Sequence, residues 1–125
     1  MNRKIKFRGR CADTWRKGDH LTYADGECIK AWMGSISPEY TVEPDTVGQF
    51  TGLYDCSGAE IYEGDICELV DYSYRLLVGW DEYDCRLAFF TTNGNLSDFG
   101  LHSVSHIAMK VIGNIHDNPE LLKEE

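Results

Sequence analysis

Polar and apolar residues alternate along Lys4-Ile5-Lys6-Phe7-Arg8. A period of two sets Ile5 and Phe7 on one face and the cations on the other, as in a half-buried strand. Asp13 to Gly18 is polar around Trp15 and reads as a turn with an aromatic anchor. Leu21–Tyr23 and Cys28–Met33 read as short strands about the turn Ala24-Asp25-Gly26. Gly34 to Pro44 has no periodicity and reads as a long surface loop. Strand character returns at Val47–Tyr54, with Gly48 and Gly52 as bulge or close-approach positions. Asp55-Cys56-Ser57-Gly58 then turns the chain, Glu60-Ile61-Tyr62 returns it, and Glu63-Gly64-Asp65 turns it again into Ile66–Val70.

Tyr74–Trp80 and Cys85–Thr91 form the next hairpin across Asp81-Glu82-Tyr83-Asp84. Leu76, Val78 and Trp80 share one face, and Leu87 and Phe89 share one on the partner strand. Asn93-Gly94-Asn95 is a turn signal, while Leu96–His106 stays open between loop and short helix. Met109–Ile115 is the last strand. Asn118-Pro119-Glu120 starts a short helical turn, with Asn as cap and Pro at its first position. The class this implies is mainly β (α+β): a small curled antiparallel sheet or SH3-like barrel, with an N-terminal strand extension and a short C-terminal helical turn. Closing a small sheet removes its exposed edges. One domain over residues 1–125 is expected, with region 1–46 packed on a β core at 47–117 and a tail at 118–125.

Composition narrows the setting. Three Trp, seven Tyr and five Phe in 125 residues supply large core formers and argue against disorder. No apolar run approaches the roughly 20 residues that span a bilayer. The basic N-terminus lacks the apolar core of a secretory signal, so a cytoplasmic location is expected. Five widely spaced Cys without a C-x-x-C pair fit free thiols rather than disulfides or a thiolate zinc site. Of these, Cys11, which follows Arg8 and Arg10, comes nearest to the basic setting that lowers a thiol pKa. The net charge of −9 is uneven: residues 1–30 hold eight Lys/Arg against four Asp/Glu, and residues 31–125 hold four against seventeen. Such an acidic surface disfavours broad contact with phosphate backbones.

Candidate chemistry is sparse. His102 and His106 are spaced for one helix face, but no third ligand accompanies them, so no metal and no cofactor are expected. Glu60, Glu63, Asp65 and Glu68 cluster about a turn without the D-x-D-x-D-G pattern of a calcium loop, and read as solvated turn acids with one capping Asp. Neither a phosphate-binding Gly loop nor a G-x-S-x-G element is present. Nucleic acid would have to use Lys4, Lys6, Arg8, Arg10, Arg16 and Lys17, with Trp15 as a stacking platform.

Three segments carry a family resemblance. Ile5-Lys6-Phe7-Arg8, then Gln49-Phe50-Thr51-Gly52-Leu53-Tyr54-Asp55 with Gly58 and Glu60–Ile66, and finally Val111–Leu122 together resemble the YopX family of small phage and prophage proteins. Residues 9–46 carry little of the pattern. The resemblance implies a cytoplasmic phage-derived protein of unknown molecular role, with no catalytic residues to carry over. Its motif positions read as structural. Gly52, Gly58 and Gly64 serve turns, and Asp65 accepts backbone N–H bonds. Phe50, Leu53 and Ile61 form core, and Gly113, Asn114 and Pro119 shape the C-terminal segment. A non-enzymatic protein-binding or regulatory module is expected, with an unknown protein partner or a second copy and no membrane contact. The alternatives are a nucleic-acid-binding β-barrel using Lys4, Lys6, Arg8 and Trp15, and a small enzyme using the acids of Glu60–Asp65.

Overall fold

Antiparallel pairing organises the chain in a computed structural model that describes residues 5–12, 14–18, 20–23, 31–34, 40–70, 74–97 and 108–122. The strands are β1 Phe7–Cys11, β2 Thr14–Gly18, β3 His20–Tyr23, β4 Ala31–Gly34, β5 Tyr40–Val42, β6 Gly48–Tyr54, β7 Glu60–Tyr62, β8 Asp65–Leu69, β9 Tyr74–Asp81, β10 Arg86–Phe90 and β11 Met109–Asn114. Short 3-10 turns lie at Pro44–Thr46 and Pro119–Leu122. The strands form two four-stranded sheets, β2-β1-β6-β7 and β10-β9-β8-β11, and a three-stranded sheet β3-β4-β5. One four-stranded sheet curls into a half-barrel. The described residues contain no α-helix, so the expected mainly β class and short C-terminal helical turn hold. None of their helical segments is long and apolar enough to cross a membrane.

Contacts divide the chain into two compact units, Met1–Gly52 and Leu53–Glu125, with the boundary inside β6. In the first unit β1 and β2 form a tight hairpin, in register from Phe7↔Gly18 to Cys11↔Thr14. Only two residues connect them, and Ala12 stands at φ 55°, the left-handed geometry that matches such a connection to strand twist. β1 also pairs with β6 at Phe7↔Gln49 and Arg8↔Gly48. Val42 is buried, with Phe7, Cys11 and Val47 packed against it. At Gly9 a Cβ would lie 2.9 Å from the Val42 Cβ, so only glycine lets the two backbones come this close.

The second unit has the larger core. Ile61, Cys67, Leu69, Leu76, Val78, Phe89 and Met109 form one buried cluster, joined by the half-buried Leu53 and Val111. Each large side chain withdrawn from water contributes about 1.5–3 kcal/mol. β8 lies between β9 and β11 and pairs with both, at Cys67↔Leu76 and Cys67↔Val111. The Gly64 turn fastens these neighbours: Gly64 N donates to the Val78 carbonyl and Ile115 N donates to the Gly64 carbonyl, both at 2.8 Å.

Three local expectations change. The polar stretch around Trp15 is strand β2 rather than a turn; hydrogen bonding to β1 imposes an extended backbone that its hydrophilic letters conceal. Tyr40–Val42 forms strand β5 inside the expected 34–44 loop, because an aromatic and two β-branched residues suit a sheet and Val42 has a core to enter. Trp80 is 49% exposed although Leu76 and Val78 on the same strand are buried; it lies one position before the hairpin tip. The expected Ala24-Asp25-Gly26 turn, Cys28, and His102 and His106 lie outside the described residues.

Candidate functional site

β1 and β2 concentrate cations because their sequences alternate. Residues directly opposite each other in an antiparallel pair share a face. Arg8↔Lys17 and Arg10↔Trp15 are such pairs, and Lys6 joins them by alternation. Phe7, Gly9 and Cys11 therefore occupy the opposite face of β1, the side of Val42.

The cationic face is also aromatic. The Arg8 guanidinium carbon lies 4.8 Å from the centre of the Trp15 ring, and Lys6 Nζ lies 5.9 Å from that of Phe50. Both are within cation–π range, worth about 0.5–2 kcal/mol each according to desolvation. Arg10 is anchored by a 3.2 Å ion pair with Glu43. Its backbone N donates to Thr46 Oγ1 at 2.8 Å, and that hydroxyl donates to the Glu43 carbonyl at 2.6 Å. Lys17 is exposed, while Lys6, Arg8, Arg10 and Trp15 are half-buried. Lys4 lies outside the described residues. The structure thus gathers Lys6, Arg8, Arg10, Lys17 and Trp15 of the expected nucleic-acid set on one face, whereas Arg16 alternates to the other side.

The acids are engaged differently. Asp55 is buried and accepts four hydrogen bonds. Oδ1 takes Ser57 N, Ser57 Oγ and Ala59 N at 2.8–2.9 Å, and Oδ2 takes Val111 N at 2.9 Å. One carboxylate therefore closes the 55–59 turn and ties it to β11. Burial pushes the Asp55 pKa up, but the bonds from Val111, Ala59 and Ser57 outweigh it and hold it below its ordinary 3.8. Asp65 caps its own turn as expected, accepting Tyr62 N at 2.7 Å. Glu60 accepts the Tyr62 hydroxyl at 3.0 Å, and Glu68 lies 3.5 Å from Arg75 Nε. Among the described residues no three His, Cys, Asp or Glu side chains converge where a metal ion could bind.

The remaining motif residues shape backbone and core. Phe50 and Ile61 are fully buried, and Leu53 packs on the cluster of the second unit. Gly58 and Gly64 sit in turns with left-handed φ of 89° and 93°, whereas Gly52 has its φ of 87° inside β6. Gly113 marks a register shift between β11 and β8. Asn114 Oδ1 accepts His116 N and Asp117 N, and Pro119 opens the last 3-10 turn.

The tip of the β9–β10 hairpin, expected only as a connection across Asp81-Glu82-Tyr83-Asp84, is a further candidate surface. Tyr83 is 99% exposed there, beside the half-exposed Trp80. Asp81 Oδ1 accepts Tyr83 N at 3.1 Å, fixing the tip, and Arg86 lies 3.6 Å from both Asp81 and Asp84. Two aromatics set among three acids, Trp80-Asp81-Glu82-Tyr83-Asp84, were the available signal.

Comparison with known proteins supplies a family and a fold. The family model described as YopX protein matches residues 6–123. A solved structure, protein EF1440 from Enterococcus faecalis, is similar at 24% identity with a TM-score of 0.59, covering 95% of this chain and 98% of that one. No functionally curated protein matches the chain.

Proposed function

The chain belongs to the YopX family, and we propose on that basis that it is a non-enzymatic binding module of phage or prophage origin, working in the host cytoplasm through an acidic protein surface that docks on the cationic face of β1 and β2. The observation that carries this reading is the alignment of Lys6, Arg8, Arg10 and Lys17 on one side of the hairpin, with Arg8 stacked on Trp15. Like charges gathered on a sheet face attract an oppositely charged partner and steer its approach. The hairpin's two-residue connection and the Arg10–Glu43–Thr46 bonds hold that face in place before any partner arrives, which lowers the entropy cost of binding.

Two observations support a binding role over chemistry at the Glu60–Asp65 acids. Asp65 is committed to the Tyr62 backbone and Glu60 to the Tyr62 hydroxyl. A reaction there would have to break the bonds that shape the turn. Single-stranded nucleic acid is the second reading, favoured by the Trp15 ring beside Arg8, since stacking on aromatics contributes about 1–3 kcal/mol per base. The acidic total of −9 weighs against it.

Fluorescence anisotropy with a labelled poly-glutamate peptide and a labelled single-stranded oligonucleotide separates the two. The protein reading predicts peptide binding that weakens as salt rises and is lost in Arg8→Glu. Tighter binding of the oligonucleotide would give the second reading priority. Failure of both probes at low salt would overturn the site.

A further inference from the structure

The acidic surface that the β1–β2 face requires is present in the same polypeptide. The first unit holds eight Lys/Arg against seven Asp/Glu, and the second holds four against fourteen. Negative charge and exposed aromatic area coincide at the β9–β10 tip. Asp81, Glu82 and Asp84 against Arg86 leave that segment at −2, and it carries Trp80 and Tyr83. The Asp81 bond fixes the backbone of the turn that carries the fully exposed Tyr83. Only the two side-chain torsions of Tyr83 remain to be fixed on docking, and its ring offers the apolar area of an aromatic anchor.

Resting on the proposed function of the β1–β2 face, we propose that its partner is a second copy of this chain, whose β9–β10 tip sets Trp80 and Tyr83 against Trp15 and Arg8 while Glu82 and Asp84 face Lys17 and Lys6. The two surfaces match in both respects that matter. Each carries aromatic rings set among charges of one sign, and the signs are opposite. Like-signed faces or like-signed tips repel one another, so the contact sets face against tip. Such a contact forms reciprocally in a two-fold pair, or head to tail in a ring or chain. Self-association of this kind also regulates the module, because a face filled by a neighbour's tip is closed to other acidic partners.

Sedimentation velocity over a wide concentration range tests this. The weight-average mass should rise above the 14.2 kDa of one chain at about 50 mM salt and fall back towards it at about 1 M, where screening reaches about 3 Å. Glu82→Lys with Tyr83→Ala should weaken association at least about tenfold, as expected for loss of an anchor and a charge pair. Arg8→Glu should do the same, and Lys17→Glu, on an exposed side chain, repeats the test should Arg8→Glu fold poorly. The decisive sample mixes the tip variant with the face variant. Each retains one intact half of the contact, so the mixture should form a one-to-one pair and grow no further. A wild-type chain that stays single at every concentration overturns the proposal, as does association that both variants leave unchanged or a mixture that stays unpaired. If poly-glutamate still binds in an Arg8-dependent way while the chain stays single, the proposed function stands and only this inference fails.

Discussion

Asp55 shows what the motif acids do at the scale of one residue. Its side chain satisfies three donors of its own turn and one donor from β11, 56 positions away. In Asp55→Asn one oxygen becomes a donor facing donors, so we expect a loss of about 2–3 kcal/mol at neutral pH, read by chemical denaturation. The pH dependence has a definite sign. A carboxyl whose folded pKa lies below the ordinary 3.8 stabilises fully above that value. Its contribution fades as pH falls from there through the lower folded value. Wild-type stability should therefore drop in that acid window, and Asp55→Asn should show a smaller drop across it. Two glycines separate steric from conformational demand. At Gly113 a Cβ would lie 2.6 Å from Asn118 Oδ1 and 2.9 Å from Leu121 Cδ1, so Gly113→Ala should cost about 1–3 kcal/mol through overpacking. At Gly58 nothing lies within 4 Å, and Gly58→Ala should cost about 1–2 kcal/mol, from its φ of 89° alone. The Asp65 cap was legible in the letters because its partner, Tyr62, is three residues away. The Asp55–Val111 bond was not, since no local pattern announces a partner from another strand.

Elements follow the same division between near and far. The expected strand Lys4–Arg8 meets β1 only at Phe7 and Arg8: Ile5 is exposed, whereas Phe7 packs against Val42, and pairing carries the strand on to Cys11. β2 escaped because its strand character comes from pairing with β1 rather than from a buried face of its own; it runs from exposed Thr14 through half-buried Trp15 to exposed Lys17. The cationic face was therefore only half visible: its residues were named as a set, but the register that sorts Arg16 away from Arg8, Arg10 and Lys17 belongs to the hairpin. The tightness of that hairpin yields a prediction. Ala12 holds a φ of 55° that glycine adopts without strain. Ala12→Gly should thus raise the melting temperature modestly, by about 0.5–1 kcal/mol of stability. A lower melting temperature would mean that the connection does not hold this turn. Trp80 is the converse case. Its spacing from Leu76 and Val78 suggested a core position, but near the end of β9 it stands half-exposed, outside the cluster that buries those two.

Across the molecule, carboxylates that build turns are distinct from cations that offer a surface. The expected mainly β class emerged from glycine-punctuated short strands, and the family match covers 6–123. Contact function was less legible, because it depends on charges that converge only after strands pair. Isothermal titration of poly-glutamate into Lys17→Glu and Asp55→Asn, each followed alongside by thermal unfolding, tests this separation most directly. We predict that Lys17→Glu, on an exposed side chain, keeps its melting temperature within about 2 °C and binds more weakly, while Asp55→Asn melts earlier and, below its transition, binds as the wild type does. Unchanged affinity in Lys17→Glu, or a fully folded Asp55→Asn that no longer binds, would contradict it.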